Sequence, residues 1–215
     1  MLRLLAIALI VLVAAGTAAS ATRSIKPLPA PLKAQLKQGY WRSGCPVSLG
    51  QLRLLTVRQW GFDGKAHTGQ LVVNEKAAAP LQRVFAKLYE LRFPIRHMLL
   101  SDAYGPARAI PDTDVTASFE CRQASASPCT GKVTTGTWSN HAYGLAVDIN
   151  PYENPYIGCG MTRDPNRLTY THRGNVRPGM VTAAVVKAFA DIGWGWGGSW
   201  TGDTKDYMHF SWNGH

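Results

Sequence analysis

Two short segments near the C-terminal end restrict this chain more than anything else in it. Ser139-Asn140-His141-Ala142-Tyr143-Gly144-Leu145-Ala146-Val147-Asp148 places a histidine and an aspartate seven positions apart, and about sixty residues later Asp206-Tyr207-Met208-His209-Phe210 supplies the same pair of residue types. Two imidazoles, one carboxylate ligand and one spare carboxylate form the inventory of a catalytic zinc site, which needs three protein ligands, an open position for water and a nearby base. Any fold that uses them must bring the two segments into contact. Leu145, Val147 and Ile149 alternate with Ala146 and Asp148, which predicts a strand with Asp148 on the face away from the core. Tyr207–Trp212 reads as a second strand, with His209 on the face opposite Met208 and Phe210. Asp206 then has the wrong parity to join His209, so it is expected at the start of that strand, where the backbone can turn it inward.

The other end of the chain bears on location. Arg3, the apolar run Leu4–Ala15 and Ala19-Ser20-Ala21 predict an export signal over residues 1–21, too short for an ordinary membrane span. Taking Arg3 from the 23 lysines and arginines, against 13 acidic residues, leaves a net charge of +9 after cleavage. Such a balance outside the cell favours anionic surfaces such as a cell wall. The cations are scattered, with no basic helix or aromatic-interleaved stripe, so nucleic acid is not the expected partner. Four cysteines in an exported chain predict two disulfides. Of three possible pairings, the short loop between Cys121 and Cys129 favours that pair, which leaves Cys45 with Cys159. A four-cysteine metal site lacks the Cys-x-x-Cys spacing.

Residues 22–50, with their early prolines and lysines, read as an N-terminal arm or linker, and 51–215 as one domain. Leu52–Trp60 and Gly69–Asn74 predict strands about a Gly61–Gly64 turn. Asn74 caps an expected amphipathic helix over 75–91, and Pro94 closes it. Met98–Asp102 is expected as a strand and Thr182–Ile192 as a second helix. Residues 104–137 read as a long loop region. The elements do not alternate regularly, so the expected class is α+β, a small antiparallel sheet with flanking helices.

Ser139-x-His141-x-x-Gly144-x-Ala146-x-Asp148, Trp196-Gly197-Gly198-x-Trp200 and Asp206-x-x-His209-Phe210 together resemble the VanY-like zinc D-alanyl-D-alanine carboxypeptidases, whose relatives include L-alanyl-D-glutamate endopeptidases. The likeness extends to Gly69–Asn74, Phe93-Pro94-Ile95, Phe119-x-Cys121-Arg122 and Asp148-Ile149-Asn150-Pro151, and so covers roughly residues 50–215. The resemblance implies a hedgehog/DD-peptidase-like fold and zinc held by His141, Asp148 and His209. It gives Asp206 the acid/base role and Arg122 the stabilisation of the tetrahedral oxyanion. Ser139, Tyr143 and Trp200 are candidates for shaping the pocket or binding substrate, or else a turn residue and packed aromatics. Trp194 and Trp196 are expected in core and pocket wall. His67, His97, His172 and His215 have no partner spacing.

The expected function is a secreted, periplasmic or cell-wall-associated zinc metallopeptidase acting on a peptidoglycan stem peptide or precursor. Its preferred form is a D,D-carboxypeptidase releasing terminal D-Ala. Endopeptidase cleavage, and a non-catalytic wall-binding member of the same fold, are the alternatives. Gly-x-Ser-x-Gly, Ser-x-x-Lys and His-Glu-x-x-His are all absent, which disfavours serine hydrolases and helix-based zinc proteases. No stable membrane span is expected after cleavage, and the oligomeric state is left open.

Overall fold

The computed structural model of the protein describes residues 23–105, 114–125, 129, 136–162 and 164–215. The expected export signal lies outside them. The described residues mix helices with small antiparallel sheets, as an α+β class requires.

The first sheet holds β1 (Ser24–Pro27), β2 (Leu52–Trp60) and β3 (Ala66–Asn74), in that order. Antiparallel pairing runs from Leu52 opposite Asn74 to Trp60 opposite Ala66. Both faces of this sheet are covered, which is why Leu71-Val72-Val73 is continuously apolar. Leu55, Val57, Leu71 and Val73 face the larger core; Leu52 and Val72 face a smaller one.

The segment expected as an arm or linker is built into the domain. Its prolines punctuate structure instead of extending it. Pro27 closes edge strand β1, where a missing N–H is tolerated, and Pro31 sits in the first turn of α1 (Ala30–Leu36), where no helical partner for that N–H exists. Leu28, Leu32 and Leu36 are buried in the smaller core.

Helix α2 (Glu75–Glu90) starts at Asn74, whose side chain accepts a hydrogen bond from Lys76 N. Leu81, Val84, Phe85 and Leu88 recur on one face and are buried in the larger core. Each such burial contributes about 1.5–3 kcal/mol before entropy is counted. Met98–Asp102 differs from its expected strand: Leu100–Tyr104 forms the short helix α3, with the Asp102 carboxylate accepting from Leu99 N at 3.1 Å. The three-residue apolar run Met98-Leu99-Leu100 carries too little periodicity to separate the two states, and the capping aspartate decides it.

The second sheet carries the site. It joins β4 (Ala146–Asp148) to the C-terminal strand β8 (His209–Ser211), with β6 (Gly195–Trp196) on the far side of β8; β5 (Tyr156–Ile157) pairs separately with β7 (Lys205–Asp206). Helix α4 (Ala183–Ala190) precedes β6. Val147 lies opposite Phe210 and turns inward, where Phe210 stacks on Phe189 of α4 with ring centres 3.8 Å apart. Both rings are fully buried.

The disulfides depart from the expected pairing. The bonds are Cys45–Cys121 and Cys129–Cys159, with Cα–Cα distances of 5.9 and 5.3 Å. Short sequence separation favours contact in an unfolded chain, but the fold sets the native distance. Cys121 N donates to Tyr40 O, which lays the 117–123 segment beside residues 40–45.

Candidate metal centre

Register brings the two motifs together. Asp148 on β4 is directly opposite His209 on β8, so both side chains leave the sheet on the same face. His141 arrives from the 3-10 turn Asn140–Tyr143, just before β4. Ser139 caps that turn, its hydroxyl accepting from His141 N at 3.3 Å. The turn is pinned from behind, where Asn74 N donates to Gly144 O and Asn74 Nδ2 donates to Tyr143 O. Gly144 has φ +64°, and a Cβ there would meet Asn74 N at 2.7 Å, so this position needs glycine.

Three ligand atoms converge. His141 Nε2 lies 3.3 Å from His209 Nδ1 and 3.3 Å from Asp148 Oδ2, and His209 Nδ1 lies 3.0 Å from Asp148 Oδ1. These three residues form a cluster able to hold a metal ion. The separations match the edge of a tetrahedron, about 3.3 Å for ligands about 2.0–2.1 Å from zinc. Proton placement agrees. His141 Nδ1 lies 2.6 Å from Ser118 O and His209 Nε2 lies 3.2 Å from His215 O. A backbone oxygen, carbonyl or carboxylate, only accepts, so the outer nitrogens carry protons. When both rings are neutral, the inner nitrogens turn two lone pairs toward a carboxylate, an arrangement that repels itself without a cation. The residues therefore fit a metal.

The electrostatics follow. Burial works against charge on Asp148, but His141 and His209 outweigh it and hold its carboxyl well below the usual carboxylate range. Burial also opposes protonation of His209; its hydrogen bond to Asp148 prevails and raises it.

Asp206 sits on β7, not on β8. The break at Tyr207 and Met208 changes the strand partner, since Asp206 pairs with Tyr156 while His209 pairs with Asp148. That break resolves the parity conflict seen in the sequence. Asp206 Oδ1 is buried with no hydrogen-bond partner among the described residues. Burial, then the charge of Asp148, pushes its carboxyl up to about 7, against the opposing pull of His209, His141 and Arg122. The Trp196-Gly197-Gly198 motif lets this corner close: a Cβ on Gly197 would meet Asp206 O at 2.6 Å. Trp196 Nε1 donates to Tyr207 O at 2.9 Å and holds the corner from the other side.

Arg122 lies on the wall of a cavity of about 180 Å³ shared with Tyr40, Ser118, Glu120, His141 and Asp148. Its Nε donates to Glu120 at 3.1 Å, and it is partly exposed. The neighbouring disulfide that fixes this segment runs to Cys45. Trp200 flanks the centre, with its ring 6.0 Å from the His209 ring. Tyr143 is partly buried against the smaller core. Trp194 is buried in the larger core, and Trp196 packs against it. His67 pairs with Asp63 at the surface.

Sequence reading missed the groups behind the two histidines of the cluster. Ser118 O and His215 O are main-chain atoms and carry no side-chain signal. Nor does the spacing reveal the buried pair of carboxylates, Asp114 and Glu153, that Arg96 bridges at 2.8 and 2.7 Å. Asn150, two residues after Asp148, accepts from Arg96 N and holds a left-handed backbone with φ 41°. Its place in Asp148-Ile149-Asn150-Pro151 was the available clue.

Residues 132–212 match a family described as D-alanyl-D-alanine carboxypeptidase. The matched span contains His141, Asp148, Asp206 and His209, and it supports both the VanY-like resemblance and a peptidase. No curated protein and no solved structure matches the chain.

Proposed function

With the D-alanyl-D-alanine carboxypeptidase family as premise, we propose that this protein is a zinc-dependent peptidase that hydrolyses peptidoglycan stem peptides and releases terminal D-Ala. The observation that carries the reading is the tetrahedral spacing of His141 Nε2, Asp148 and His209 Nδ1, beside Asp206, whose Oδ1 is buried and has no hydrogen-bond partner among the described residues. Zinc, when bound, supplies the positive charge that polarises the scissile carbonyl and makes water more acidic.

The chain's own groups do the rest. Two neutral imidazoles and one carboxylate leave net positive charge at the centre, which suits attack on an amide. Asp206 Oδ1 takes a proton from the attacking water and returns it to the leaving amine. Its burial prevents solvent from competing for that proton. The Arg122 guanidinium, on the cavity wall, faces the charge that develops on the carbonyl oxygen. Ser139 acts indirectly by capping the turn that carries His141. Trp200 restricts access of water on the His209 side. The hedgehog/DD-peptidase-like arrangement belongs to the same reading.

We place the protein outside the cytoplasm, in the periplasm or at the wall, because two disulfides persist in oxidising compartments. The test is incubation of the zinc-loaded protein with a precursor pentapeptide ending in D-Ala-D-Ala, followed by mass analysis. Release of one D-Ala per peptide is expected. Internal fragments without free D-Ala would replace the carboxypeptidase by an endopeptidase. No product from any stem peptide would overturn the enzymatic reading.

A further inference from the structure

We propose that the tail Trp212–His215 is a positioning element that fixes the tautomer and tilt of His209, an inference that rests on His209 being a zinc ligand. His209 can offer Nδ1 to a metal only while its proton stays on Nε2. What faces Nε2 is the main-chain oxygen of His215, at 3.2 Å. The same oxygen accepts from Ser211 Oγ at 2.8 Å and from the Asn140 side-chain amide. Asn140 immediately precedes His141. One oxygen therefore gathers donors from β8, which carries His209, and from the 3-10 turn, which carries His141.

Other contacts hold that oxygen in place. Asn213 Oδ1 accepts from Asn140 Nδ2 at 2.7 Å and from His215 N at 3.1 Å, closing the tail into a tight turn. Trp212 N donates to Leu145 O at 3.1 Å, and Trp212 Nε1 to Asn140 Oδ1 at 3.1 Å. Trp200 Nε1 donates to Gly214 O at 2.5 Å while its ring flanks His209. Trp212, Asn213 and His215 are all exposed, so the tail is not held by burial in either core. Its contacts converge on the two ligand-bearing elements. His141 has the corresponding support from Ser118 O, from within the fold. A backbone carbonyl or carboxylate oxygen accepting the outer N–H makes the inner nitrogen a better ligand.

Zinc affinity is measured by competition with a chromophoric chelator at fixed pH. The proteins are wild type, a deletion of Gly214 and His215, Asn140→Ala, His215→Ala and His209→Ala. The deletion and Asn140→Ala should each weaken zinc binding by about 10–100-fold, the usual effect of losing an outer partner. His215→Ala should bind like wild type, because its main-chain oxygen remains. Nitrogen NMR of the zinc-loaded proteins should show the His209 proton on Nε2 in wild type and a mixture of Nδ1-bound and Nε2-bound rings in the deletion. Wild-type affinity in both the deletion and Asn140→Ala overturns the proposal. So does a loss of affinity that tracks a lower metal-free melting temperature with the tautomer unchanged. His209→Ala separates the two readings: if it loses zinc while the tail variants keep it, only the tail's role fails, and if it keeps zinc, the metal-centre reading fails.

Discussion

Replacing Cys45 and Cys121 together by alanine should destabilise the protein more than replacing Cys129 and Cys159. The bonds span 76 and 30 residues of chain. In the chain-entropy picture, those spans correspond to about 4.5 and about 3.6 kcal/mol of lost constraint on the unfolded state. A domain of this kind has about 5–15 kcal/mol in total, so either loss is large. The assay is urea unfolding of both double variants under oxidising conditions, followed by fluorescence of the tryptophans. With a slope of about 2 kcal/mol per molar urea, the Cys45/Cys121 variant should unfold about 2 M earlier than wild type. It should also lose turnover in the absence of urea, because Arg122 adjoins Cys121 on the cavity wall. A loss below about 1 kcal/mol, or a larger loss in the Cys129/Cys159 variant, would refute the entropic reasoning. A Cys121–Cys129 peptide in a non-reducing digest would refute the pairing itself.

Three further outcomes follow from the site and its surroundings. Asp206→Asn should retain zinc and lower turnover by about two to four orders of magnitude, measured by D-Ala release; wild-type turnover would remove Asp206 from proton transfer. Arg122→Ala should lower kcat more than it raises KM, because it acts on charge that appears only in the transition state, and a change confined to KM would make it a substrate clamp. Glu153, raised to about 7 by burial, binds its proton more tightly folded than unfolded. The folded state then holds more protons than the unfolded state between pH 4.5 and about 7, so stability contributed by this group falls as pH rises through that window. Melting temperatures across that range should decline in the wild type and decline less in Glu153→Gln; equal slopes would discount Glu153.

Much of the centre was legible in the sequence because ligand chemistry is local. His141, Asp148 and His209 are side chains of the types that bind zinc, and strand alternation around Val147 and Phe210 predicts which face they take. The α2 helix was legible for the same reason, since Asn74 caps it and its apolar face repeats at helical spacing. What the sequence could not decide were contacts between segments far apart in the chain. The Cys45–Cys121 bond depends on Tyr40 O meeting Cys121 N, a main-chain contact with no residue code. Pro27 and Pro31 look alike in a linker and at element ends, and only pairing with β2 and burial of Leu32 and Leu36 tell the two apart. Asp206 reaches the centre because the strand breaks between it and His209, and that break is set by two different strand partners. The oxygens that orient the imidazoles belong to the backbone of Ser118 and His215, and every residue carries such an oxygen. Side-chain identity therefore named the three residues of the cluster, and the tertiary fold decided which backbone atoms stand behind its histidines.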